Sequence, residues 1–444
     1  AIDLGNPNGF YNDSDGTRND IGNSGGNGIF VTPNSFNFGN VGIGNSAPTE
    51  NFYIYNTRTD SVILGSYSTT DNQFTVSVSN SSFPVIIQSF EKLSLNTDFL
   101  PTSSGEQTST IELSFTYPSN NNGSFETVGV AYNVPAGDIN VPANVPTIQT
   151  AIDIIDPSNS SNKNIVVAPG EYFESLDFLN KSYITLKSSG GPLQTIINGQ
   201  QSPESISYLV HVNGYYIILD GFTIKDYSGN SGINSYDGQH SIFKNLILDN
   251  NKNYYFPSTA TVENCVFQNN NDGEILVIGS SDNPYGCVFK HVTIAGNNDF
   301  RFRLQHQTNQ DNYLDVLFFN SVFWDNDDDE DNDGFVFHWQ EHDDFDSPRL
   351  YVENSLLSFT EADIITNDHE TNQITWSSNN LTTYPYFNNS ENDDYSLSTY
   401  SPMIGAGGAS PSMGSFTYES VDTDVLGNSR PNPSGTSPDI GAYE

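Results

Sequence analysis

KNLILDNN (residues 244–251), ENCVFQNN (263–270), KHVTIAGNN (290–298), FNSVFWDN (319–326) and ENSLLSF (353–359) are five versions of one phrase. Asn stands second in four of them, at Asn245, Asn264, Asn320 and Asn354, and His291 takes that place in the third. The successive intervals are 19, 27, 29 and 34 residues. A near-constant core with insertions of varying length marks a solenoid: one coil cannot bury its apolar side alone, and stacked coils share a continuous core. Stacking brings like residues into line, so these four Asn are expected in a single file, laddered through side-chain amides.

Short β-rich runs precede the phrase: IVVAPGEY (165–172), SYITLKSS (182–189), QTIING (194–199) and YYIILDGFTIKD (215–226). Before them lies one helical pattern, TIQTAIDIID (147–156), with Ile148, Ala151, Ile152 and Ile155 on one face and Pro157 as its stop. PAGDINVPANVP (135–146) reads as a linker. Further upstream, NFYIYN, QFTVSVSN, STIELSFTYP and ETVGVAYNV alternate apolar and polar residues between turn-rich breaks. Seven or eight such strands suit an antiparallel sandwich.

VPTIQTAID, with NIVVAPGEYFESLDFLNKSYITLKSSGGPLQTIING after it, resembles the opening of the right-handed parallel β-helix family that includes pectate lyases. The resemblance covers residues 138–444 and implies a short amphipathic helix capping the coil. Lyases, hydrolases, epimerases, adhesins and tail fibres share that fold, so it assigns no activity. VTPNSFNFGNVGIG, Asn56 and FLPTSSGEQTSTIELSF resemble the immunoglobulin-like modules of bacterial surface and cilium-associated proteins, over residues 29–137. That implies a spacer or docking module. YSLSTYSPMIGAGG and VLGNSRPNPSGTSPDIGAYE resemble the closing segment of bacterial surface β-helices, and residues 1–28 resemble the same segment. Arg18 precedes Asp20-Ile21-Gly22 as Arg430 precedes Asp439-Ile440-Gly441. Three readings of residues 1–28 stand: the tail of a preceding β-helix unit, an inter-subunit cap, or a Gly/Asp turn repeated by chance. The expected fold class is all-β: an immunoglobulin-like sandwich, then a right-handed parallel β-helix with a short N-terminal capping helix.

The 444 residues carry 54 Asp and Glu against 14 Lys and Arg, a net charge of −40. Such a surface repels nucleic acid and anionic membranes, and suits divalent cations or a saline medium. No stretch is long and apolar enough to span a bilayer. Cys265 and Cys287 are the two cysteines; they make no disulfide framework, though they could pair across neighbouring coils. A secreted or cell-surface location is inferred from this composition.

The strongest local signal for chemistry is DNDDDEDNDGF (325–335), where Asp329, Asp331, Asp333 and Gly334 give D-x-D-x-D-G. Alternate carboxylates on a tight loop suit calcium; position twelve is Gln340, so the EF-hand glutamate is missing. The other reading is a solvated acidic insertion. Asp13, Asp15 and Asp20 make a shorter candidate of the same kind. HWQEH gives His338, Glu341 and His342 on a strand-like pattern, which sets the histidines too far apart for the zinc motif it formally matches. DFRFRLQHQ places Arg301 and Arg303 on one face of a strand with His306 near. Lyases resembling this fold use a Lys or Arg base beside calcium-held uronates, which makes these three the lyase candidates; charge compensation of the acidic insertion is the alternative. A hydrolase would need clustered carboxylates, for which Asp220, Asp226, Asp237 and Asp249 are available. Tyr215, Tyr216, Tyr254, Tyr255 and Trp324 could stack on sugars or pack the coils.

The favoured reading is a non-catalytic structural or adhesive segment of a repetitive extracellular protein, with neighbouring copies, flanking domains or surface glycans as partners. A calcium-dependent polysaccharide lyase or a glycoside hydrolase acting on acidic glycans is the alternative.

Overall fold

The computed structural model describes residues 28–79, 81–117, 122–202, 206–279, 286–306, 314–326, 337–340, 349–364, 373–411 and 419–444. They form two compact units. One comprises residues up to Val134 with Ile154–Asp156; the other comprises Pro135–Asp153 and Pro157–Glu444.

The first unit is a β-sandwich. One sheet orders Ile29–Thr32, Glu50–Asn56, Lys92–Phe99 and Phe74–Val78, all antiparallel. The other orders Ser35–Gly42, Asn122–Tyr132, Gly105–Tyr117, Val62–Thr69 and Val85–Ile87. Alternation buries one face of each; Phe52 stacks on Phe125 at 3.8 Å between the sheets, and Phe74 stacks on its cross-strand partner Phe99 at 4.4 Å. One pairing departs from the antiparallel expectation: Ser35–Gly42 runs parallel to Asn122–Tyr132. The buried Asn56 closes a strand end, its Nδ2 donating to the carbonyls of Asp60, Ile87 and Gln88.

The second unit is a right-handed parallel β-helix with three faces. Among the described residues these are a ten-stranded sheet from Ile139–Val141 to Gln373–Trp376, an eight-stranded sheet from Gly170–Tyr172 to Leu356–Leu357, and a seven-stranded sheet from Leu176–Asp177 to Phe337–Gln340. Strands of three to five residues suffice for most rungs because each pairs with the coil before and after it. Large side chains fill the bore, with Phe289 stacked on Phe318 at 4.9 Å and Phe243 edge-on to Phe256 at 5.0 Å.

The capping helix, Ile148–Asp153, stops earlier than the apolar spacing suggests. Side chains of the next coil close both its ends. Glu174 accepts the free N–H groups of Ile148 and Gln149, and the Lys181 ammonium takes the carbonyls of Ile152 and Asp153. Just beyond, Gly214 passes so close that a β-carbon there would sit 1.7 Å from the Lys181 carbonyl oxygen. Gly214→Ala is therefore expected to cost about 1–3 kcal/mol through a forced backbone shift. Denaturant midpoints of the two proteins check this.

Register confirms the single file. Lys244 pairs with Glu263, Glu263 with Lys290, Lys290 with Phe319 and Phe319 with Glu353, so Asn245, Asn264, His291, Asn320 and Asn354 follow at one corner. All five have positive φ, between 48° and 54°. The left-handed conformation turns the chain from the ten-stranded to the eight-stranded sheet, and Asn tolerates it better than other side chains apart from Gly. A second, inward file lies six residues on: Asn251, Asn270, Asn297 and Asn326. There Asn270 Nδ2 reaches Asn297 Oδ1 at 2.9 Å and Asn297 Nδ2 reaches Asn326 Oδ1 at 2.7 Å.

Candidate functional site

The outer surface of the ten-stranded sheet carries a ladder of alternating charge. Lys187, Asp220, Lys244, Glu263 and Lys290 are successive register partners. Lys244 lies 3.5 Å from Asp220 and Lys290 lies 2.8 Å from Glu263. Opposite charges on neighbouring rungs favour the correct register, and like charges would oppose it. The scarce cations of this acidic chain are thus spent on alignment.

The basic residues that sequence placed at a lyase centre are paired with carboxylates as well. Arg301 is exposed and bonds Asp299 at 3.3 Å; Arg303 grips Glu274 at 2.6 Å across one rung. Both lie on Asn298–His306, which also contains His306. Arg349 and Arg430 are paired too, with Asp315 and Glu444. The calcium candidates Asp329, Asp331, Asp333, Asp13, Asp15 and Asp20 lie outside the described residues.

Of the hydrolase candidates, Asp226 and Asp249 lie close enough to act on one another, and the others lie elsewhere. Asp220 is held by Lys244, and Asp226 by Lys225 at 3.3 Å. Asp237 is exposed on another turn. Burial pushes the Asp249 carboxyl above its usual range, an Asn269 bond opposes this, and the charges of Asp393 and Asp226 add to it. Among the described residues no group of three or more His, Cys, Asp or Glu is placed to hold a metal ion. Cys265 and Cys287 are both buried and unpaired, so the cross-coil disulfide does not form; burial pushes both thiols up, making them inert. Of the aromatic candidates, Tyr254 is fully buried and Trp324 packs against the core, whereas Tyr215 and Tyr216 stand about half exposed. Tyr216 lies in a stack between Tyr183 and His240, at 5.1 and 5.0 Å, and so presents mainly its edge.

The most elaborate site is one the sequence did not single out as a site. The closing segment, described as residues 395–411 and 419–444, returns along the solenoid as a strap. It covers the outer face of the eight-stranded sheet. Tyr395, Val425 and Ala442 pack on Ile247, Val266 and Ala295, and Met403 and Ile440 pack on Val322 and Leu356. Its polar groups seize the corner file. Gly408 bonds both atoms of the Asn320 amide at 2.8 and 2.9 Å, Gly441 donates to the Asn320 carbonyl, and the Arg430 guanidinium reaches Asn264 Oδ1 at 2.7 Å. Arg430 and Glu444 form a salt bridge with side-chain exposures of 0% and 1%. The Asp439 carboxylate accepts the Gly405 N–H, and burial raises its pKa. The motif shared by Arg430 and Asp439-Ile440-Gly441 is therefore a fastening.

Beneath it lies His291, fully buried, with Nε2 2.7 Å from Ser420 Oγ and 3.0 Å from Asn320 Nδ2. A serine hydroxyl on an imidazole meets the first requirement of a nucleophile–base pair. Nδ1, however, closes no hydrogen bond that would orient the ring. The contact thus serves closure of the strap. A shallow cavity of about 290 Å³ beside it is lined by Ser420, Glu419, Asp422 and Arg430.

No family model matches this chain, and no curated protein matches it. Solved structures similar to it include pectate lyase Pel9A, at 14% identity over 69% of this chain and 96% of that one, with a TM-score of 0.35. The pectin methylesterase from carrot is 14% identical over 55% of this chain and 89% of that one, with a TM-score of 0.35. The ASH/PapD-like domain of human CEP192 is 13% identical over 24% of this chain and 87% of that one, with a TM-score of 0.21.

Proposed function

We propose that this chain is a structural or adhesive segment of a repetitive extracellular protein, in which the β-helix is a rigid, closed rod and the sandwich a spacer. The observation that carries the non-catalytic reading is the pairing of Arg301 with Asp299 and Arg303 with Glu274. The residues best suited by type to abstract a proton from a uronate already face carboxylates of this chain. A net charge of −40 further opposes a polyanionic substrate.

The test is incubation with polygalacturonate and alginate in the presence of calcium. Ultraviolet absorbance follows unsaturated ends, and a reducing-sugar assay follows hydrolysis. The expected result is no product above buffer. A product formed by the native chain and lost in Arg301→Ala or Arg303→Ala would overturn the proposal and establish a lyase.

A further inference from the structure

We propose that His291 makes the C-terminal strap an acid-sensitive latch, closed while the imidazole is neutral and released when it takes a proton. The geometry fixes the tautomer. The Asn320 amide is held on both atoms by Gly408, so its remaining N–H points at His291 Nε2. The Asn320 N–H is therefore aimed at an accepting Nε2, which puts the ring proton on Nδ1. Protonating Nε2 would set donor against donor at the 3.0 Å Asn320 contact in a buried site, leaving only the Ser420 hydroxyl, at 2.7 Å, able to turn and accept.

The surroundings oppose a second charge. Arg430 faces the ring from the strap and Lys290 precedes it on its own rung; after burial itself, Arg430 is the largest influence against protonation. The carboxylates nearby are committed. Glu444 holds Arg430, Asp424 accepts the backbone of Leu426, Asn428 and Glu444, and Glu263 holds Lys290. Asp439 bonds Gly405 and Glu353 heads the rung beyond Asn320, while Glu419 stands exposed next to Ser420. Peptide groups of Gly441 and Asp439 favour the charged ring, but more weakly than burial disfavours it.

The sign follows. The closed state holds His291 neutral well below its ordinary value of 6.5, so it binds fewer protons than the open state. Closure is therefore at full strength above that pH and weakens by up to tenfold per unit below it. Asp439, raised by burial from 3.8, contributes with the opposite sign on the acid side of that window.

Hydrogen exchange tests this on the full chain. Strap amides of Gly408, Val425, Gly441 and Ala442 are compared at about pH 7.5 and about pH 5 after correction for intrinsic rates. Opening of the native strap is expected to rise by up to about 30-fold. His291→Asn places at this rung the residue found at the other corners and should abolish the rise. An equal rise in the variant, or none in the native chain, overturns the proposal. Direct titration of the imidazole by NMR needs no variant: a ring still neutral at about pH 5 in the closed form supports the latch, and a midpoint near the ordinary value overturns it.

Discussion

Arg430→Met is expected to detach the strap from the solenoid, at a cost of about 3–5 kcal/mol. The buried guanidinium makes three bonds: to Glu444 Oε2 at 2.9 Å, Asn264 Oδ1 at 2.7 Å and the Gly441 carbonyl at 3.0 Å. Methionine fills much of the volume but leaves the Glu444 carboxylate buried against an uncharged neighbour. That unpaired charge supplies most of the penalty, since the desolvation of both ions is repaid only while they are together. The double variant Arg430→Met with Glu444→Gln should therefore recover part of the loss, and the difference measures the coupling. Limited proteolysis and exchange of residues 419–444 report the strap separately from the coil. The coil keeps its own rungs, so its unfolding should move much less than strap protection. Equal loss of protection in strap and coil would show that the strap is part of one cooperative unit.

Some of this was legible before the structure and some was not, for physical reasons. The phrase containing Asn245, Asn264, Asn320 and Asn354 set the register, because a left-handed corner repeats at a fixed place in each coil whatever the insertion length. The substitution of His291 in that file was visible as well, but its burial was not. Burial comes from Ser420, 129 positions away, and from Gly408, which holds the neighbouring Asn320 from 88 positions away. Local pattern carries no trace of such contacts. The inward ladder was open to reading, since Asn251, Asn270, Asn297 and Asn326 each stand six residues after the corner residue. Charge was legible in sum but not in arrangement. Only register shows that Lys187, Lys244 and Lys290 alternate with Asp220 and Glu263 rather than line a groove. The parallel pairing of Ser35–Gly42 was hidden because alternation looks alike in either direction.

Asn270→Leu is expected to be the most damaging conservative-sized change within the coil itself. Asn270 is fully buried, and its side chain ties its own rung to the one before and the one after. Its Oδ1 accepts the Asn251 N–H at 2.9 Å and the Tyr254 hydroxyl at 2.7 Å, and its Nδ2 donates to the Leu248 carbonyl at 3.1 Å and to Asn297 Oδ1 at 2.9 Å. Leucine satisfies none of them. The Asn251 N–H and the Leu248 carbonyl would be left in a dry interior, each at about 1–3 kcal/mol, for a total of about 2–6 kcal/mol. The Tyr254 hydroxyl would keep only the Asn251 Nδ2 donor at 3.0 Å, and burial already holds its proton firmly. The contrast is Asn250→Gly, one position before the same ladder in the neighbouring coil. Its φ of 50° suits glycine, and its Nδ2 bond to Asp226 is exposed, so the change should fall within about 1 kcal/mol. Urea midpoints for the two variants separate the roles. Because each rung contacts only its neighbours, the Asn270 lesion should split unfolding of the coil into two transitions, one on either side of the broken ladder. A single transition, displaced as a whole, would mean that the bore of aromatic side chains couples the rungs more strongly than the amides do.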